Sequence, residues 1–169
     1  MISVVCLALF ITTNSLAYAN AWRGIVPLQT TRTTVEKSLG KPTRDHGDTV
    51  VYDFESERAS IEYSKGPCSV KLSQWNVPRD TVISVWITPK RDLNFKDLGL
   101  DGHYKVVRDE DRLDVIHYID EEAGIEYNVH EPSGIVGLIK YRPTAGDKTL
   151  RCPSRRNKVI KARRGNYQT

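Results

Sequence analysis

The chain has 169 residues, of which 39% are hydrophobic and 27% charged. This composition supports a packed core and excludes wholesale disorder, and the length suits one ordinary domain. The net charge of +4 averages two unlike parts: residues 153–169 hold six of the 25 Lys and Arg and no acid, which leaves 19 basic against 21 acidic residues elsewhere. The basic balance belongs to that tail and not to a face of the domain, so no nucleic-acid partner is expected.

The N-terminus opens on an apolar run, Ile2 to Ile11, about ten residues and too short to cross a bilayer. The small-x-small triplets Ala17-Tyr18-Ala19 and Ala19-Asn20-Ala21 follow. Together they predict a signal peptide over residues 1–21, cleaved after Ala19 or Ala21, and export to the periplasm or the cell exterior. The alternative is a buried N-terminal strand. No Lys or Arg precedes the run, so either the true start lies upstream or the amino group alone supplies the charge. Cys6 lies too early to accept a lipid and leaves with the signal, and no transmembrane segment is expected afterwards. The remaining pair, Cys68 and Cys152, in an exported chain favours a disulfide over two separate thiols. Its loop of about 85 residues is worth roughly 4–5 kcal/mol in the chain-entropy picture.

In chain order, Trp22 to Leu28 reads as an extended lead-in. Thr31 to Leu39 predicts a two-turn helix capped by Thr30 or Thr31, with Val35 and Leu39 on one stripe and Gly40 and Pro42 as stop. Its β-branched Thr run makes it weak in isolation. Strands are predicted over 50–54, 59–63 and 81–87, with Glu55 to Arg58 as a hairpin tip. Asp92 to Leu98 predicts a short helix ended by Gly99. Further strands are expected near 103–108, 115–119, 125–129 and 135–141.

Residues 51–63 (VYDFESERASIEY) and 115–127 (VIHYIDEEAGIEY) share six of thirteen positions without a gap. The alternative is convergent hairpin patterning, because strands draw on a restricted alphabet. The fold expected is α+β: two tandem helix–β-hairpin–strand units, about 22–90 and 91–152, forming antiparallel sheet within one domain over 22–152. The segment 153–169 is expected to be a flexible basic tail.

Trp22-Arg-Gly-Ile-Val-Pro-Leu, Thr31-Arg-x-x-Val-Glu-x-x-Leu-Gly-x-Pro42, Trp75-Asn-Val-Pro-Arg-Asp-Thr-Val82 and Leu150-Arg-Cys-Pro153 resemble an uncharacterised family of short exported bacterial proteins. That resemblance implies export and a common fold but no activity. The Val35–Pro42 helix before a hairpin is similar to the SmpA/OmlA module, and its duplication to the β-lactamase-inhibitor protein fold. This second resemblance implies protein binding through sheets and loops.

Catalytic chemistry finds no purchase in the sequence. The histidines, His46, His103, His117 and His130, lack the spacing of HExxH, and no cysteine pair has CxxC spacing. His117 and His130 could face each other across adjacent strands near Glu126 or Glu131, but sheet-surface histidines are the better reading, and no metal or other cofactor is expected. There is no GxSxG elbow and no phosphate-cradling glycine loop. An oxidised Cys68 is no nucleophile. Glu121 and Glu122 sit on a predicted hairpin tip, where water keeps both ionised. Non-catalytic binding of an unknown protein or envelope component is therefore expected. Trp75, Asn76 and Arg79 in the tethered loop are the candidate contacts; Trp75 alternatively plugs the core beneath the loop. Two other readings stay open. The basic tail (Arg155, Arg156, Lys158, Lys161, Arg163, Arg164) could dock to the envelope, or the protein could be a small hydrolase with an unrecognised site.

Overall fold

The structure, a computed structural model, describes residues 21–100, 102 and 104–153. The predicted signal up to Asn20, His103 and the basic residues from Arg155 onward lie outside the described residues.

The helix forms where its punctuation allows: α1 spans Arg32–Leu39. The Thr31 hydroxyl accepts from the Thr34 N–H, satisfying one of the free donors of the first turn. Gly40 ends it at φ 80°, and its N–H donates to the Glu36 carbonyl. Val35 is fully buried, so packing holds a helix that propensity alone would not.

The strands are β1 (Arg44–Asp45), β2 (Thr49–Asp53), β3 (Glu57–Tyr63), β4 (Val82–Pro89), β5 (Lys105–Arg108), β6 (Val115–Asp120), β7 (Ile125–His130) and β8 (Ile135–Tyr141). They form one sheet in the order β1-β2-β3-β4-β8-β7-β6-β5. All its pairings are antiparallel. Each half is a meander of four consecutive strands. The seam between them is β4 against β8, where Val85 meets Tyr141, Trp86 meets Lys140 and Ile87 meets Ile139.

The α+β expectation of two helix-led units is corrected by this sheet. The architecture is mostly one eight-stranded antiparallel sheet with a single α-helix. The helix expected over 92–98 is only a 3₁₀ turn at Phe95–Leu98. The sheet captures the residues before it: the Val136 N–H donates to the Leu93 carbonyl at 2.8 Å, and the Phe95 N–H to the Gly134 carbonyl at 2.9 Å. Asn94, bridged to Ile135, then caps the turn through Lys96 N–H. Four residues ending in left-handed Gly99 cannot propagate an α-helix.

The ungapped sequence match also departs from the hairpin register. Ala59 stands in β3 opposite Tyr52, whereas its counterpart Ala123 sits in the turn between β6 and β7. What the match preserves is facing. Ile61 and Tyr63 are buried, as is Tyr127, while Glu62 and Glu126 alternate to the other side.

Alternation gives the sheet two unlike faces. On one, the paired row Tyr52, Ala59, Ile87, Ile139, Tyr127 and Tyr118 crosses every strand from β2 to β6. The lead-in and α1 pack on its first half, and Leu93, Phe95, Leu98 and Tyr104 on its second. On the other, the row Val51, Ser60, Trp86, Lys140, Glu126 and Ile119 is mostly polar.

Candidate functional site

The site begins with a disulfide. Cys68 and Cys152 are bonded, with Cα atoms 5.4 Å apart. The bond ties the loop between β3 and β4 to the segment after β8. Backbone bonds reinforce it: the Asn76 N–H donates to the Leu150 carbonyl at 2.7 Å, and the Cys152 N–H to the Gln74 carbonyl at 2.8 Å. The loop also closes on itself, with the Ser73 hydroxyl within hydrogen-bond reach of the Trp75 and Gly66 carbonyls, either of which can accept its one proton. The partner segment is shaped by Asp147, whose carboxylate accepts from both the Thr144 N–H and hydroxyl at 2.8 Å. A 3₁₀ turn over Ala145–Leu150 follows.

Between these two arms and the polar sheet face lies a cleft of about 270 Å³. Its cations are Lys140, Arg142, Lys148 and Arg151, and its carboxylates Glu62 and Glu121. Trp75, Gln74, Ile83 and Ser84 complete one wall. Two neighbouring hollows share Glu62: one beneath the loop beside Trp75 and Leu72, the other over the sheet beside Trp86, Thr88 and Leu138. The cleft is the groove that Trp75 lines; Trp86 lines only the neighbouring hollow over the sheet.

A polar relay sets its floor. Trp86 Nε1–H donates to Ser84 Oγ at 2.8 Å, and Ser84 Oγ–H donates to Glu62 Oε2 at 2.9 Å. Lys140 Nζ lies 4.0 Å from the Trp86 ring centroid, a cation–π placement that holds the ammonium over the groove. The Arg151 guanidinium sits 5.9 Å from the Trp75 ring. Arg142 lies 3.7 Å from Glu126. Among the described residues, Lys140, Lys148 and Arg151 have no carboxylate within 4.0 Å.

Glu126 also belongs to a second cluster. His117 Nδ1 lies 2.9 Å from Glu126 Oε1 and Nε2 lies 3.1 Å from Asp109 Oδ2. Burial is the largest single influence on His117 and opposes its protonation. The hydrogen bonds and charges of Glu126 and Asp109 together outweigh it, and the imidazole's pKa is raised. Asp109 is held below the usual carboxylate range, first by His117 and then by the N–H groups of Asp111 and Arg112. The two carboxylates occupy opposite nitrogens of one ring, so they cannot converge on a metal. Among the described residues no group of three His, Cys, Asp or Glu is placed to hold one.

The residues singled out from sequence fall in different places. Trp75 is half-buried and lines the groove. Asn76 and Arg79 are exposed, outside the groove lining. The Asn76 Oδ1 accepts from the Cys68 N–H at 3.4 Å, so that side chain braces the disulfide. His46 is exposed, and His130 pairs with Asp114 at 3.4 Å. Glu131 pairs with Arg108 and not with a histidine. Sequence reasoning missed Lys140, Arg142 and Arg151. The signal that could have found Lys140 is alternation: it falls on the side opposite Ile139 and Tyr141 in an otherwise apolar strand, and Arg142 follows the strand's last residue.

Compared with family models and with curated proteins, the chain matches none. A crystal structure of a DUF4309 family protein from Bacillus subtilis is similar to it at a TM-score of 0.44 and 13% identity, over 72% of this chain and 84% of that one. The expected likeness to the SmpA/OmlA module finds no support among these comparisons.

Proposed function

We propose that the protein is an exported, non-catalytic binding module that takes its ligand in the groove between the polar sheet face and the disulfide-tied arms. The observation that carries this reading is the groove itself: Trp75 and three cations without ion-pair partners line a hollow bounded by arms that a disulfide ties together. Covalent and backbone ties pre-organise those arms, so little ordering entropy is lost when a ligand arrives. His117 is already saturated by two carboxylates, outside the groove lining. Export is supported by the Ile2–Ile11 run with its small-x-small triplets and by a disulfide, which persists in oxidising compartments. The ligand is of envelope or extracellular origin on this reading.

Affinity capture from the cell envelope tests it. The wild-type protein retains a partner, and Trp75→Ala loses it while keeping its thermal midpoint. Retention by Trp75→Ala and Lys140→Ala alike would remove the groove from the binding surface.

A further inference from the structure

We propose that the ligand of this groove is a negatively charged glycan, a chain of sugars bearing anionic substituents; the inference rests on the binding reading above. Three features of the groove point there together.

The first is uncompensated charge. Four cations face two carboxylates in the cleft. Of the two, Glu62 is occupied by the Ser84 hydroxyl and Glu121 leans toward Lys105 at 4.0 Å. Lys140, Lys148 and Arg151 are left to an incoming anion. Each would make charge-assisted hydrogen bonds, which are about twice as strong as neutral ones.

The second feature is an indole set among polar groups. Sugar rings present C–H faces that stack on aromatic rings and hydroxyl rims that need both donors and acceptors. Trp75 lines the groove, with Glu62, Ser84, Gln74 and Thr144 among the lining groups. Glu62 keeps one carboxylate oxygen free of the Ser84 bond to accept from a hydroxyl.

The third feature weighs against a peptide. Strand addition needs a run of open sheet edge, but the groove's β4 residues, Ile83 and Ser84, lie between the Val85–Ile87 pairing with β8 and Val82, whose N–H and carbonyl bond to the lead-in, which leaves too short an edge. Helix docking needs an apolar trough with spaced anchors. Apart from Trp75, the cleft's apolar lining is limited to Ile83, Pro143 and Ala145.

The test is titration of the full-length protein with an oligogalacturonate, read by tryptophan fluorescence and calorimetry. Methyl-esterified oligogalacturonate and poly-L-glutamate serve as comparison ligands. Oligogalacturonate is expected to bind and to perturb the indole emission, and its affinity to fall as sodium chloride rises from about 50 to about 300 mM. Lys140→Gln and Arg151→Gln are each expected to weaken it by about tenfold. Lys41→Gln with Arg44→Gln, which removes two charges outside the groove, leaves binding unchanged. Circular dichroism and the thermal midpoint establish that each variant is folded. No oligogalacturonate binding, equal binding of the esterified chain, or tighter binding of polyglutamate overturns the glycan assignment. If an envelope partner is still captured in a Trp75-dependent way, the binding reading survives that failure; if capture fails as well, both fall.

Discussion

The two meanders share a topology and differ in how their apolar face is covered. In the first, Ile25, Val35, Val50, Ile61, Val82 and Val85 are all at or below 2% exposure, sealed by the lead-in and α1. In the second, only Tyr127, Val129 and Val136 form the buried cluster. It is finished by an aromatic stack in which Phe95 lies 4.3 Å from Tyr118 and 5.6 Å from Tyr127. Its edge strand β5 is exposed along its whole length, with Val106 at 58%. Branched aliphatics under a helix give dense packing, whereas a stack on a 3₁₀ turn gives coverage with less burial. Local stability is therefore unequal across one continuous sheet.

Four perturbations sharpen or break that contrast. The largest acts on both halves. Cys68→Ser with Cys152→Ser releases an arm from each, and urea unfolding is expected to show a loss on the order of 4–5 kcal/mol. A loss confined to the loop's own protease sensitivity would mean the halves hold together without it. Next is Ile61→Ala, a cavity in the sealed half, expected to cost about 3–4 kcal/mol with a cooperative transition retained. Third is Phe95→Ala. Because Phe95 is only half-buried, the expected cost is about 1–2 kcal/mol, and hydrogen exchange should quicken in β6 and β7 while β2 and β3 stay protected. An Ile61→Ala cost no larger than that of Phe95→Ala would erase the contrast.

The smallest effect is pH dependence in the second half. The His117 pKa is raised from 6.5, so its contribution is complete below about 6.5 and is lost as pH rises through the folded value. The Asp109 pKa is lowered from 3.8, so its contribution is present above 3.8 and is lost as pH falls through its folded value. The pair is jointly most stabilising between about pH 4 and about 6.5. His117→Gln should flatten the decline on the alkaline side, measured as thermal midpoint against pH. A slope unchanged by that substitution would place the dependence elsewhere.

Much of this was legible in the sequence. Alternating runs located β2, β3, β4, β6, β7 and β8 to within a residue or two, because one buried face imposes period two. Thr31, Gly40 and Pro42 bounded α1 through capping chemistry that is local by nature. The strand order was not legible: the β4–β8 seam joins residues more than fifty apart, and no turn residue encodes it. The 92–98 segment failed because Leu93, Phe95 and Leu98 are apolar at helical and extended spacings alike, and hydrogen bonds to Gly134 and from Val136 decided between them. The groove was half legible. Trp75 stood out as a tryptophan in a tethered loop, but Arg142 and Arg151 reach it only because the disulfide and sheet order bring distant segments together.

The narrow seam has a consequence for how the chain is made. Synthesis runs from the N-terminus, so β1 through β4 emerge as a complete meander while β4 still shows an unpaired outer edge. That edge stays open until residues 135–141 arrive, and an apolar strand such as Val82–Pro89 is a template for foreign strands in the interval. The last strand of the second meander thus acts as the chain's own protective partner, and any truncation before Ile135 yields a product prone to aggregate.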